Sequence, residues 1–502
     1  WRKGNKSTES RFVMANLAEG RTDLVNDPNG LSMPHLIAAV ITAVIGGGVF
    51  TMAGDMAAAG ANTGAVLIGW LVCGIGVFCL MMCFYALNKF KPKLTGGIYS
   101  YARAGFGEYM GFNSAYGYWI SALLATVSYT TLLFASLSFF FPVFGEGNNL
   151  VSVIGASIIV WVCWTLVTRG VKEAASINII TTIAKLVPLL VAVVAIIFSM
   201  NFDPAIFMDN FWGEPDGPVL WDQVVATVGV SIWIFLGIEG AVAISGRAKY
   251  SKDVGRATVI AFFGILAIYL LVSILSMGVM SRAELAALPN PSMAGVLEAV
   301  VGPWGAALVN LGVALSLLGA MLGYSIIASE CPHEAAEQGV FPKIFAKKNK
   351  NGAPIVTCTI TCLIVQAFLV VILFSEQTYQ FFYGVSVSMI LIPYFFSSLY
   401  LFVCALKKDG FEGQSAKTVW LYRIIGGVGF FYSLFLIYAG GLTGLMITTI
   451  LFAPGIVLYA YGQKERGQAV LPKLADKILA SAIVIFFIVS IALIATGQIS
   501  VI

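Results

Sequence analysis

Residues 45–50 read IGGGVF, three consecutive glycines inside a stretch that is otherwise apolar from Met33 to Ala59. Glycine costs roughly 1 kcal/mol relative to alanine in a helix interior, and a backbone amide facing hydrocarbon must find a partner. A glycine run at mid-depth of a membrane span therefore predicts one of two things. It is a small-residue surface for close helix packing, or it is a local unwinding that lines a wet cavity. The rest of the chain decides between them.

The solvent is settled by composition. A chain of 502 residues that is 59% hydrophobic and 11% charged, with a mean hydropathy of +0.89, cannot cover itself with polar groups in water, and it suits a bilayer. Apolar runs long enough to cross about 30 Å of hydrocarbon fall near 34–59, 64–87, 110–141, 151–168, 174–200, 223–245, 257–280, 304–329, 354–374, 380–405, 424–441, 443–461 and 478–498, which predicts thirteen spans. The chain begins at Trp1, read as a trimmed start, and residues 1–30 are polar with no secretory leader pattern, so the first span is expected to act as its own insertion signal.

With the N-terminus placed in the cytoplasm, all but Arg282 and Lys185 of the 29 basic residues fall in segments on the inner side. The net charge of +4 hides this asymmetry and implies no nucleic acid partner. Of the eight cysteines none forms a CxxC pair, and the only histidines, His35 and His333, lie far apart, so no metal cage, disulfide framework or cofactor is expected. The cysteines are read as packing residues.

A second interruption, FLGIEG at 235–240, lies five spans after the first, with the ionisable Glu239 between its glycines. Two broken spans in corresponding positions predict an inverted repeat with a site at the repeat interface. Free N–H groups of the first break suit a carboxylate and exposed carbonyls of the second suit an ammonium, and an α-amino acid carries both. Glu239 at mid-span is costly, roughly 3 kcal/mol on insertion scales, and is read as functional. Lys185, deep in span 5 with no acid near it in sequence, is read as an ion-site or gating residue. Asp55, toward the outer end of span 1, is read evenly as functional or as an interfacial cap. On spacing alone Trp233 and Tyr324 are bundle-core aromatics.

The stretches GGGVFTMAGDMA (46–57), TGGIYSYARAGFGEYMGF (95–112), SIWIFLGIEGAVAISGRAK (231–249) and LIPYFF (391–396) together resemble the amino acid/polyamine antiporter family of the APC superfamily. FFPVFGEGN (140–148), RGVKEAASINIITTIAKLVPLL (169–190) and the run from Gly237 to Ile260 are most similar to its arginine/ornithine antiporter branch. The resemblance runs over roughly residues 33–460. It implies an all-α polytopic fold of the LeuT/APC type, a 5+5 inverted repeat with discontinuous helices 1 and 6 plus two or three additional spans. The expected division is a cytoplasmic tail 1–32, a first repeat 33–200, an extracellular loop 201–222, a second repeat 223–405, spans 11 and 12 in 406–461, and a loop with span 13 in 462–502.

Residue by residue, the resemblance places the substrate carboxylate on the amides of Ile45, Gly46, Gly47 and Gly48. Gly47 stands where arginine/agmatine relatives have Ser. Trp233 matches a shielding indole, and Phe235, Leu236, Gly237 and Ile238 the carbonyls beside it. Tyr324 matches an aromatic that stacks on the substrate's side-chain cation, a Trp in those relatives, while Thr126 replaces an Asn and Ser386 matches a polar pocket residue. Tyr118, Glu239 and Tyr394 match a cluster that closes the inner path. Lys185 matches a span 5 lysine whose ammonium stands in for sodium. These matches turn Trp233 and Tyr324 from core aromatics into site residues.

If all three are ionised, Asp55 and Glu239 against Lys185 leave one net negative charge in the embedded region, which favours a cationic amino acid and disfavours glutamate. The expected function is exchange of a cationic amino acid for its metabolic product by alternating access, arginine for ornithine, in the plasma (inner) membrane. Exchange of another amino acid with its amine, such as histidine with histamine, and proton-coupled symport are the competing readings. The expected partners are cationic substrates and the lipid bilayer; a homodimer is compatible with the chain. A membrane enzyme is expected to need a nucleophile, base or metal cluster, for which His35 and His333 give little; a sensor is expected to carry a signalling domain or long tail, for which tails of about 30 residues or fewer give no support; and mid-span breaks suit an occluded site better than a channel pore.

Overall fold

The computed structural model describes residues 32–94, 97–170, 175–239, 250–374 and 379–496. Among them there is no strand, and eleven helices are long and apolar enough to cross a membrane. These eleven are the expected spans other than 1 and 6: Thr63–Phe90 (span 2), Glu108–Leu137 (span 3), Leu150–Thr168 (span 4), Ala175–Phe198 (span 5), Ser251–Val279 (span 7), Pro303–Glu337 (span 8), Ile355–Ile372 (span 9), Tyr379–Lys407 (span 10), Ala416–Ala439 (span 11), Gly441–Glu465 (span 12) and Leu474–Ala495 (span 13). The two runs missing from that set are the two with glycine interruptions. The N-terminal tail and residues 240–249 of span 6, including Gly240, lie outside the described residues.

Span 1 runs as a helix from Met33 to Val44, opens at residues 45–47, tightens to a 3₁₀ turn over Gly48–Phe50 and resumes as the helix Met52–Ala58. Span 6 is helical over Leu220–Ile234 and then passes into turns over 235–239. Span 3 carries the packing: its contacts with spans 8 and 10 are the most extensive among the described residues, and apart from Tyr118 only its ends escape burial. Its sequence, small and aromatic residues all round with no apolar stripe, is that of a helix enclosed by protein. By contrast, Leu71 and Ile75 of span 2, Leu190 and Val194 of span 5, and Ile478 and Ile485 of span 13 are exposed and suit the hydrocarbon.

Short helices precede spans 3 and 8 in parallel positions along the chain, Ile98–Phe106 before the first and Ser292–Val301 before the second. Ser292 stitches the second of these to span 1. Its hydroxyl donates to the carbonyl of Thr51 at 3.0 Å and accepts the N–H of Gly54 at 3.1 Å, so the outer half of span 1 is held from the side. In span 10, Pro393 lacks the N–H that would bond the carbonyl of Met389, which leaves a gap in the helical ladder one residue before Tyr394. All eight cysteines are free and buried.

Candidate functional site

The two interruptions lie side by side and antiparallel. A Cβ on Gly48 would fall 2.7 Å from Cγ2 of Ile234 and 2.7 Å from Cδ1 of Trp233, and one on Gly237 would fall 2.6 Å from the carbonyl oxygen of Ala43. Gly237 also has a φ of +102°, a conformation that L side chains avoid. Residues 48 and 233–234 thus meet at one level and residues 43–44 and 237 at another. The glycines are the reason two unwound backbones can touch here.

Backbone groups are left over at both breaks. Among the described residues no backbone acceptor takes the N–H of Gly46, Gly47 or Gly48, whereas the N–H groups of Ile45, Phe50 and Thr51 bond Ile41, Gly47 and Gly48. In span 6 the carbonyl of Ile234 accepts the hydroxyl of Tyr269 at 2.9 Å, and that of Phe235 accepts the N–H of Ile238 at 3.2 Å. Phe235 is therefore spent within its own turn, and Leu236, Gly237 and Ile238 are the members of the expected 235–238 set whose carbonyls take no backbone N–H among the described residues. Buried peptide groups are nearly always paired, and these two sets, without a backbone partner among the described residues, are of opposite polarity and face each other.

Aromatic side chains wall this space. Tyr129 of span 3 is central: its hydroxyl lies 3.3 Å from where a Gly46 Cβ would be, its ring meets Tyr324 edge-on at 5.2 Å, and Trp233 lies 5.6 Å away. Trp233 in turn stacks on Tyr383 of span 10 at 5.0 Å and 20°, and Tyr383 meets Tyr379 at 5.4 Å. The indole N–H of Trp233 is buried without an acceptor among the described residues. A Cβ on Gly47 would sit 2.8 Å from Cδ2 of Leu317 and 3.0 Å from that of Leu132, so a side chain here requires these two leucine ends to shift. The space that a serine would take at this position is filled here by two leucines.

Below the breaks, on the basic side, Glu239 receives the hydroxyls of Tyr118 at 3.2 Å and of Tyr394 at 2.5 Å, one on each carboxylate oxygen. These three residues come from spans 3, 6 and 10, so the cluster ties the unwound part of span 6 to two continuous helices. Above the breaks, Asp55 is only 6% exposed; its carboxylate receives the hydroxyl of Tyr379 on Oδ2 and Nε2 of Gln380 at 3.1 Å on Oδ1. Lys185 is 5% exposed and lies on the face of span 5 shared with Thr181 and Pro188. Those two fill the notches at Gly319 and Gly312 of span 8, which turns this face toward that span.

Thr126 and Ser386, expected as pocket hydroxyls, are engaged with protein: Thr126 donates to the carbonyl of Ala122 at 3.1 Å, and Ser386 to the carbonyl of Ser121 at 2.8 Å. Sequence reading passed over Tyr129, Tyr379, Gln380 and Tyr383. Helical spacing carries the missing signal, since Tyr129 is one turn from Thr126, and Tyr379 and Tyr383 precede Ser386 by seven and three residues on one face of span 10. Among the described residues no group of His, Cys, Asp and Glu is arranged to hold a metal ion.

A family model described as amino acid permease matches residues 31–459, so span 13 lies beyond the match. The chain is similar to an "Arginine/ornithine antiporter" of Pseudomonas aeruginosa, 42% identical over 91% of this chain and 95% of that protein. It is also similar to proteins named "Arginine/agmatine antiporter" from Chlamydia pneumoniae, 38% identical over 89% and 93% of the two chains, and from Chlamydia abortus, 38% identical over 86% and 90%.

Proposed function

The chain belongs to the amino acid permease family, and on that premise we propose that it is a membrane carrier that exchanges a cationic amino acid for its metabolic product, arginine for ornithine. The observation that carries this reading is the pair of facing breaks, where among the described residues the N–H groups of Gly46, Gly47 and Gly48 and the carbonyls of Leu236, Gly237 and Ile238 have no backbone partner. The substrate carboxylate binds the first set and its α-ammonium the second. Hydrogen bonds to a charged group contribute about 1.5–3 kcal/mol each, so two or three on the carboxylate suffice to anchor it. The side-chain cation lies against Tyr324 and Tyr129, where ring faces attract it by about 0.5–2 kcal/mol. Trp233 covers the bound molecule.

Charge around the site selects the cation. With Asp55 and Glu239 both ionised against Lys185, the embedded region is electron-rich by one charge, and an anionic side chain meets repulsion there. Transport follows when the Tyr118, Glu239, Tyr394 cluster parts on the inner side and the substrate leaves, to be replaced by the counter-substrate before the site returns. Spans 1–5 and 6–10 are the two repeats that move against each other, spans 11 and 12 complete the core, and the N-terminus lies on the cytoplasmic face of the plasma (inner) membrane. Arginine/agmatine relatives support a second reading, exchange with the decarboxylated amine.

The test is counterflow in liposomes containing the purified protein. Labelled arginine is expected to accumulate, saturably, when the liposomes hold arginine or ornithine, and not when they are empty. Accumulation at the same rate into empty liposomes would contradict exchange, and accumulation against agmatine but not ornithine would favour the second reading.

A further inference from the structure

We propose that Asp55 is a positioning residue that holds the outer side of the transport site closed, as Glu239 holds the inner side. The proposal rests on the alternating-access reading of the site. Its basis is a continuous line of contacts that begins at Asp55 and ends on the substrate amides. Asp55 lies in the outer piece of span 1, Met52–Ala58, and both its carboxylate oxygens are taken by the first two residues of span 10, Tyr379 and Gln380. Tyr379 packs on Tyr383, Tyr383 stacks on Trp233, and Trp233 covers Gly48.

Each end of the site has the same construction. A carboxylate on a broken span receives a tyrosine hydroxyl from span 10: Asp55 from Tyr379 on the outer side, Glu239 from Tyr394 on the inner. The two tyrosines are 15 residues apart on one helix, about 22 Å at 1.5 Å per residue, with the Trp233 stack between them. Span 10 thus touches both carboxylates and the lid. Separating span 10 from the outer piece of span 1 uncovers the site from outside, and separating it from Glu239 uncovers it from inside.

The closed arrangement also has something to restrain. The indole N–H of Trp233 and the amide oxygen Oε1 of Gln380 are both buried without a partner among the described residues, and a buried unsatisfied polar group disfavours the state that buries it. Both groups gain water or substrate as partners when the outer side opens. Asp55 supplies the opposing contacts. A carboxylate buried to this extent is costly to keep, and an apolar side chain of similar size would fill the space without holding Tyr379 or Gln380 by hydrogen bonds.

Two near-isosteric variants that keep the charge of Asp55 test this, Tyr379→Phe and Gln380→Leu, with Tyr394→Phe as the opposite-facing control. In arginine/arginine exchange, the two outer variants are expected to lower the apparent KM at the outer face at least threefold and to raise it at the inner face. Tyr394→Phe should do the reverse. Equal shifts on both faces, or none, would overturn the proposal. Hydrogen–deuterium exchange on the purified variants needs no substrate and separates failure of this proposal from failure of the exchanger reading. Faster exchange confined to residues 52–58 and 379–386 is expected; unchanged or uniformly raised exchange through spans 1, 6 and 10 would overturn the assignment even if arginine is not the substrate.

Discussion

Gly237 shows how much of this site depends on single atoms. Its φ of +102° and the 2.6 Å that would separate a Cβ from the carbonyl oxygen of Ala43 are two independent obstacles to any side chain. The neighbour is backbone and cannot step aside as a side chain would. Gly237→Ala is therefore expected to lose exchange altogether, with a stability loss above the roughly 1–2 kcal/mol attached to left-handed backbone alone; counterflow and thermal unfolding in detergent check this. Tyr324 bears on selectivity. It meets Tyr129 edge-on, and a tryptophan offers a stronger face to a cation than a tyrosine. Tyr324→Trp is expected to raise the preference for arginine over ornithine severalfold in competition assays, and an unchanged preference would mean that this ring does not face the ligand.

Interrupted elements were readable in the sequence because the rules of hydrocarbon are strict. Glycines at 46–48 and the FLGIEG run are poor helix residues at a depth where backbone must be paired, and the helices end at Val44 and Ile234. Continuous spans hid more. Tyr129, Tyr379 and Tyr383 stand in helices with no interior charge and no glycine run, where an aromatic is as much at home in packing as in binding, so only the fold brings them to the site. Asp55 was legible as a buried charge but not as the partner of Tyr379 and Gln380, which are more than 300 residues away in the chain. The short helix Ser292–Val301 gives an element-level test. Ser292→Ala leaves the N–H of Gly54 without its acceptor, while the carbonyl of Thr51 keeps the N–H of Asp55, so a loss of about 1–3 kcal/mol is expected. A thermal melt that matches the parent would mean that this helix does not anchor span 1.

Across the whole molecule, charge and topology agree. Four ion pairs lie beyond the apolar middles of the spans: Lys91 with Asp409, Arg103 with Glu108, Lys348 with Glu337, and Arg282 with Glu214. Exposed pairs of this kind contribute about 0–1 kcal/mol each, so their use here is as markers of sides. Arg282, the basic residue that the positive-inside count leaves outside, pairs with Glu214 of the acidic 201–222 segment at 2.6 Å. Cysteines introduced at Asp216 and Asp409 should accordingly react with an impermeant thiol reagent from opposite faces of the membrane; labelling of both from one face would overturn the orientation.

The central claim is that unpaired amides of the first break hold the substrate carboxylate. Titration of the purified protein with arginine and with arginine methyl ester tests it most directly, because the ester keeps the ammonium and the guanidinium and removes only the negative charge. Loss of about 3 kcal/mol in charged hydrogen bonds corresponds to on the order of a hundredfold weaker binding of the ester. Equal affinity for the two compounds would contradict the claim.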